Sequence, residues 1–131
     1  IKRNFFFEKL KIPSPTLIHQ TEIINNSNIN TGSQIFPNTY IGVNSQIGSN
    51  CIINTGAIIE HDSIILDNCH ISIGTIICGS VKIGNNCFIG AGAVVRDKIT
   101  ICDNVTLGAG SVVVNNIDKE GTYVGCPAKK I

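Results

Sequence analysis

Every sixth residue from Ile23 to Val113 is aliphatic, without an insertion: Ile23, Ile29, Ile35, Ile41, Ile47, Ile53, Ile59, Ile65, Ile71, Ile77, Ile83, Ile89, Val95, Ile101, Leu107 and Val113. With that position called i, position i+4 is mostly small, as at Ser33, Thr39, Ser45, Cys51, Ala57, Ser63 and Cys69. Positions i+4 and i+6 are two residues apart, so on an extended strand they share a face. Both then point inward, and i+5 and i+1 point outward. Position i+3 is Asn, Gly or Asp everywhere except Ser80 and Lys98. Those residue types tolerate a positive φ best, so i+2 and i+3 read as a tight corner. Each hexad is predicted to be one short strand and one corner.

A second period overlies the first. Gly56, Gly74, Gly92 and Gly110 recur every eighteen residues, as do Asn50, Asn68, Asn86 and Asn104, and Cys51, Cys69 and Cys87. Three strands per coil predict a triangular prism, with coils stacked about 4.8 Å apart and these columns running along it. The expected organisation is a connector over 1–22, a β-helix of about five 18-residue coils over 23–116, and a C-terminal tail over 117–131. Small i+4 residues suit the narrow interior.

Composition narrows the function. Charged residues are 15% of the 131 and the net charge is +1, which leaves no broad basic field for nucleic acid. No apolar run approaches the roughly 20 residues of a membrane span, and no secretory leader is expected. The six cysteines are expected to be reduced thiols in a cytoplasmic protein. Cys51, Cys69 and Cys87 point inward with parallel Cβ vectors, which suit a disulfide poorly. Cys78, Cys102 and Cys126 receive no role. The chain has no Met and starts at Ile1, so it is expected to be a piece of a longer protein.

The stretch "AIIEHDSII", Ala57 to Ile65, sets three titratable side chains inside an aliphatic run. Glu60 is i+1, His61 is i+2 and Asp62 is i+3, so all three face outward while Ile59 and Ser63 keep the core positions. Gly79, eighteen residues after His61, leaves room above it. A solvated polar corner is the plain alternative, although no other corner here carries a His.

The motifs "IINTGAIIEHDSII", "CHISIGTIICGSVKIGNNCFIGAGAVV" and "EGTYVGCPAKKI" resemble the hexapeptide-repeat acyltransferases. Within that family they are most similar to the bacterial sugar acetyltransferases, which include UDP-amino-sugar N-acetyltransferases and sialic acid O-acetyltransferases. The resemblance implies a left-handed parallel β-helix, a homotrimer, acetyl-CoA as co-substrate, no metal, and a sugar acceptor. An amino group of a nucleotide amino-sugar is the preferred acceptor, and a sialic acid hydroxyl the alternative. An N-terminal acceptor-binding domain is usual in the family, and "NFFFEKLKI", Asn4 to Ile12, resembles the short helical connector that would follow it. The resemblance implies His61 as general base and Asp62 as its carboxylate partner. It implies His70, Gly79, Ala91, Ala109 and Lys129 as acetyl-CoA contacts, and Asn54 as a contact to the acceptor. A His near pKa 6.5 can accept a proton at neutral pH, and an adjacent carboxylate favours the imidazolium that forms.

Two other readings compete. A zinc lyase on the same coil needs three convergent His ligands. Only His19, His61 and His70 exist, and no pair has the ligand spacing of that family. An ice-binding scaffold arrays Thr on a flat face, but Thr31, Thr55, Thr100 and Thr106 form no ladder. A non-catalytic trimerisation fragment is a further alternative.

Overall fold

The computed structural model describes Lys9 and residues 14–19, 22–23 and 27–131. Within these, the chain is a stack of short parallel strands, nearly all of two residues, separated by corners. The corners explain the period. Every i+3 residue from Gly32 to Gly110 has a positive φ, and the non-glycine ones cluster between +57° and +61°. Ser80 and Lys98 adopt it too, each held by the coil below: Ser80 N–H donates to His61 O at 2.9 Å, and Lys98 N–H to Gly79 O at 3.0 Å. Stacking thus imposes a left-handed corner on residues that rarely choose one.

Three faces result. The first face carries Gln34–Ile35, Ile52–Ile53, His70–Ile71, Phe88–Ile89 and Val105–Leu107. The second carries Tyr40–Ile41, Ile58–Ile59, Ile76–Ile77, Val94–Val95 and Val112–Val113. The third carries Asn28–Ile29, Gln46–Ile47, Ile64–Ile65, Lys82–Ile83 and Thr100–Ile101. Residues eighteen apart pair in register, as His70 does with Ile52 and Phe88. Three edges join the faces, named here by their residues. The glycine edge (Gly56, Gly74, Gly92, Gly110) joins the first and second faces. The histidine edge (His61, Asp62) joins the second and third, and the asparagine edge (Asn50, Asn68, Asn86, Asn104) joins the third and first.

The coil count is about six rather than five. Leu17–Ile18 already pairs with Gln34–Ile35, and Gly121–Val124 pairs with Val105–Leu107, so the first face extends at both ends beyond the strict hexads. Lys129–Lys130 then folds back antiparallel on Gly121–Val124. The short helix expected over Asn4–Ile12 lies outside the described residues, apart from Lys9, which is helical.

The interior follows the predicted pattern. From Ile35 to Val113 every position i is buried, and so is every i+4 from Ser33 to Ser111. Each fully buried aliphatic side chain contributes about 1.5–3 kcal/mol of transfer free energy. Small polar groups at i+4 reach the carbonyl fifteen residues on. Ser33 Oγ donates to Gly48 O at 2.7 Å, Ser63 Oγ to Cys78 O at 3.0 Å, and Cys69 Sγ to Gly84 O at 3.0 Å. All six cysteines are free thiols. Contacts with Cys51 and Cys87, together with burial, hold the Cys69 thiol protonated. Among the described residues no helix is long and apolar enough to cross a membrane.

Candidate active site

His61 and Asp62 form the corner between Ile58–Ile59 and Ile64–Ile65. Asp62 takes the left-handed conformation, φ 58°, which swings its carboxylate back beside the preceding ring. His61 Nδ1 and Asp62 Oδ2 are 2.8 Å apart, and both side chains are about half exposed, at 56% and 50%. Asn44, one coil below, donates from Nδ2 to Asp62 Oδ1 at 3.1 Å. Hydrogen bonds from His61 and then Asn44 hold the Asp62 carboxyl below its ordinary value. A charged carboxylate opposite Nδ1 keeps the neutral ring's proton there, so Nε2 presents its lone pair.

The ring has a defined seat. A Cβ added at Gly79 would lie 2.6 Å from His61 Nε2 and 2.8 Å from Cε1, so the imidazole occupies the space that a side chain there would take. Beneath the corner, a Cβ at Gly42 would meet His61 N at 2.7 Å. Cys78, next to Gly79, is a poor nucleophile. Partial burial, then the charges of Asp97 and Glu60, push its thiol above its ordinary value.

The remaining expected site residues gather elsewhere. His70 lies on the first face, with Phe88 edge-on at 5.2 Å. Asn54, at the start of the glycine-edge corner, faces His70: its Nδ2 is 3.4 Å from His70 Nε2. Ala91 and Ala109 are exposed on the glycine edge, and Lys129 is exposed on the strand that folds back on the first face. Gly79 stands on the histidine edge, apart from Ala91 and Ala109. Within one chain, His61 and His70 do not converge, because the histidine edge is the edge opposite the first face.

Asn44 and the Asn54–His70 contact are the features that sequence reasoning missed. The first was findable, since Asn44 lies eighteen residues before Asp62 in the i+3 column. The second joins residues sixteen apart, off the ladder register. A cavity of about 370 Å³ opens beside His70, lined by Asn68, Asn86, Phe88, Asn104 and Thr106 among others. Among the described residues, no three His, Cys, Asp or Glu side chains group as metal ligands.

The bacterial transferase hexapeptide (six repeats) family matches residues 62–97 and 80–115. The chain therefore carries the hexapeptide repeat over residues 62–115. Its coil is accordingly a left-handed parallel β-helix, an exception to the right-handed rule for parallel crossovers. Solved structures agree over the whole chain. The acetyltransferase domain of PglB from Neisseria gonorrhoeae is 32% identical, with TM-score 0.94, over 99% of this chain and 65% of that one. The same domain in complex with acetyl coenzyme A matches at 32% identity and TM-score 0.90, over 98% of this chain and 63% of that one. A mutant of perosamine N-acetyltransferase from Caulobacter crescentus, in complex with CoA and GDP-perosamine, is 29% identical. It matches with TM-score 0.92 over 98% of this chain and 65% of that one. The hexapeptide-repeat chain thus spans about 65% of the length of the first structures that it matches. No curated protein matches it in sequence.

Proposed function

We propose that this chain is the acyl-transfer part of an acetyl-CoA-dependent sugar N-acetyltransferase acting on a nucleotide amino-sugar in the cytoplasm. The observation that carries the reading is the His61–Asp62 pair, 2.8 Å apart on an exposed corner with the ring seated over Gly79. Its likeness to structures holding acetyl coenzyme A, or CoA with GDP-perosamine, supplies the substrate classes. In the proposed reaction the sugar amine attacks the thioester carbonyl and a C–N bond forms. His61 Nε2 takes the amine proton, and Asp62 offsets the imidazolium charge. The C–S bond then breaks, the proton passes to the departing sulfur, and the products are the sugar amide and CoA thiol.

Two features support a homotrimer with a shared site. The outward residues of the second face, Tyr40, Ile58, Ile76, Val94 and Val112, form an apolar ladder, unlike Gln46, Lys82 and Thr100 on the third face. Cyclic packing that buries the second face around a three-fold axis brings the histidine edge of one protomer to the glycine edge of the next. His61 and Asp62 of one protomer then meet Asn54, His70, Ala91 and Ala109 of its neighbour. The glycine edge fits a bound CoA arm. A Cβ at Gly56, Gly74, Gly92 or Gly110 would meet nothing within 4 Å, so chain packing does not demand glycine there. From Asn44 to Asn104 the other two edges satisfy the same positive φ with Asn, Asp, Ser and Lys, Gly32 being their one glycine, while Asn38 occupies the corner of the glycine edge one coil before Gly56. Glycine along this one edge leaves it low enough for a ligand to approach the backbone.

The test is release of CoA thiol from acetyl-CoA with a panel of nucleotide amino-sugars and sialic acid, using the protein at its natural full length. His61→Ala is expected to lower kcat by roughly 10²–10⁴, the usual worth of a positioned base. A variant that kept near-native kcat would reduce the His61 corner to a solvated turn. Turnover of sialic acid alone would move the acceptor from an amine to a hydroxyl.

A further inference from the structure

The two histidines of the proposed site carry opposite hydrogen-bonding roles, and the second role is set by a neighbour. The side-chain oxygen of Asn54 accepts a hydrogen bond from the backbone N–H of Thr55 at 2.8 Å. A backbone N–H only donates, so the oxygen end of the amide is committed to Thr55. The amide nitrogen is therefore the end that faces His70 Nε2, at 3.4 Å. An amide nitrogen also only donates, so Nε2 must accept, and it carries no proton. The single proton of the neutral ring then sits on Nδ1. Phe88 packs edge-on against the ring with an interplanar angle of 73°, which opposes a flip that would exchange the two nitrogens.

We propose that Asn54 is a positioning residue that fixes His70 as a neutral, Nδ1-protonated imidazole, making His70 a hydrogen-bond donor and not a base. His61 is the complement. Its Nδ1 is occupied by Asp62, and its Nε2, seated over Gly79, keeps its lone pair. In a site assembled from two protomers, one ring then takes the amine proton while the other cannot, its acceptor nitrogen being engaged by Asn54. The catalytic half of this statement rests on the acetyltransferase reading, whereas the tautomer does not.

Two-bond ¹H–¹⁵N correlation spectra of the ¹⁵N-labelled full-length protein test it directly. The described chain has three histidines, and a His70→Gln variant assigns the signal. At neutral pH, His70 is expected to show a protonated Nδ1 and an unprotonated Nε2. Asn54→Ala should release the lock and populate the Nε2–H form. Asn54→Asp, an acceptor at the same reach, should draw the proton to Nε2. A wild-type His70 protonated on Nε2 overturns the proposal, and so does an Asn54→Ala spectrum identical to wild type. The wild-type spectrum decides alone if the variants do not fold. Failure of every sugar acceptor to turn over, with the expected tautomer present, would count against the acetyltransferase reading and leave this assignment standing.

Discussion

Asp62 is a charged residue whose surroundings are built from one coil below as well as from its own corner. His61 Nδ1 and Asn44 Nδ2 hold its two oxygens at 2.8 and 3.1 Å and keep the carboxyl below its ordinary value. The sign follows from linkage. A depressed carboxyl contributes stability that is present above the unfolded value, near pH 3.9, and lost as pH falls through the folded value. The pair is therefore intact at neutral pH, and the corner loosens only in acid. Asn44→Ala should raise the Asp62 midpoint toward its ordinary value, read from the side-chain carboxyl carbon in a pH titration by NMR. An unmoved midpoint would mean that Asn44 does not hold the carboxylate. The ring has its own probe. Gly79→Ala places a methyl where the imidazole lies, and Gly79 is not in the left-handed region, so the backbone accepts alanine. The ring should swing aside and lower kcat roughly 10- to 100-fold, as misplacing a catalytic group by about 1 Å does. Thermal stability should change little. Full activity in Gly79→Ala would show that the observed seat of His61 is not its working position.

At the scale of strands and corners, the hexad was legible because each position has a single stereochemical demand. Position i needs an aliphatic side chain for the core, i+4 needs a small one for the narrow interior, and i+3 must tolerate a positive φ. Ile59, Ser63 and Asp62 satisfy these demands on either side of His61, so the outward aim of the "EHD" corner could be read before any coordinates. The ends were less legible. Leu17–Ile18 and Gly121–Val124 lie outside the strict hexads yet join the first face by backbone hydrogen bonds, which carry no side-chain signature. The inward or outward placement of the candidate residues was legible, and their grouping was not. Asn54 lies seven residues before His61 but sits against His70, because a corner sends the chain around an edge between Asn54 and His61. Position i+1 also hides a constraint. At Gly42 a side chain would press on His61 N at 2.7 Å and on Glu60 C at 3.0 Å, both backbone atoms. Gly42→Ala should therefore cost about 1–3 kcal/mol of stability and reduce activity by shifting the base. Gly74→Ala meets nothing, but carries φ 63°. It should cost about 1–2 kcal/mol through backbone strain alone. Denaturant titration with steady-state kinetics on both variants separates the two effects: Gly42→Ala should lose more kcat than its stability loss explains, whereas Gly74→Ala, on the glycine edge, should act on the KM for acetyl-CoA instead.

At the scale of the whole molecule, one prism is an incomplete machine on the proposed reading. His61 and Asp62 lie on the edge opposite the first face, and a rigid triangular coil with a packed aliphatic core cannot fold one onto the other. Bringing a base and an acyl donor together then requires a second copy, and the apolar second face lies between the two edges that must meet. Subunit mixing tests this without a crystal. A His61→Ala protomer keeps an intact first face, and a His70→Ala protomer keeps an intact histidine edge. In trimers formed by co-expressing the two in equal amounts, about a quarter of the interfaces pair the intact edge of one with the intact face of the other under random cyclic assembly. Activity should therefore rise well above the mean of the two parent variants, toward about a quarter of wild type, and the mixed species should sediment as trimers. A site contained within one protomer gives no such rise, because no chain in the mixture carries both histidines. Activity fixed at the mean of the parents, in material shown to contain mixed trimers, would refute the shared site.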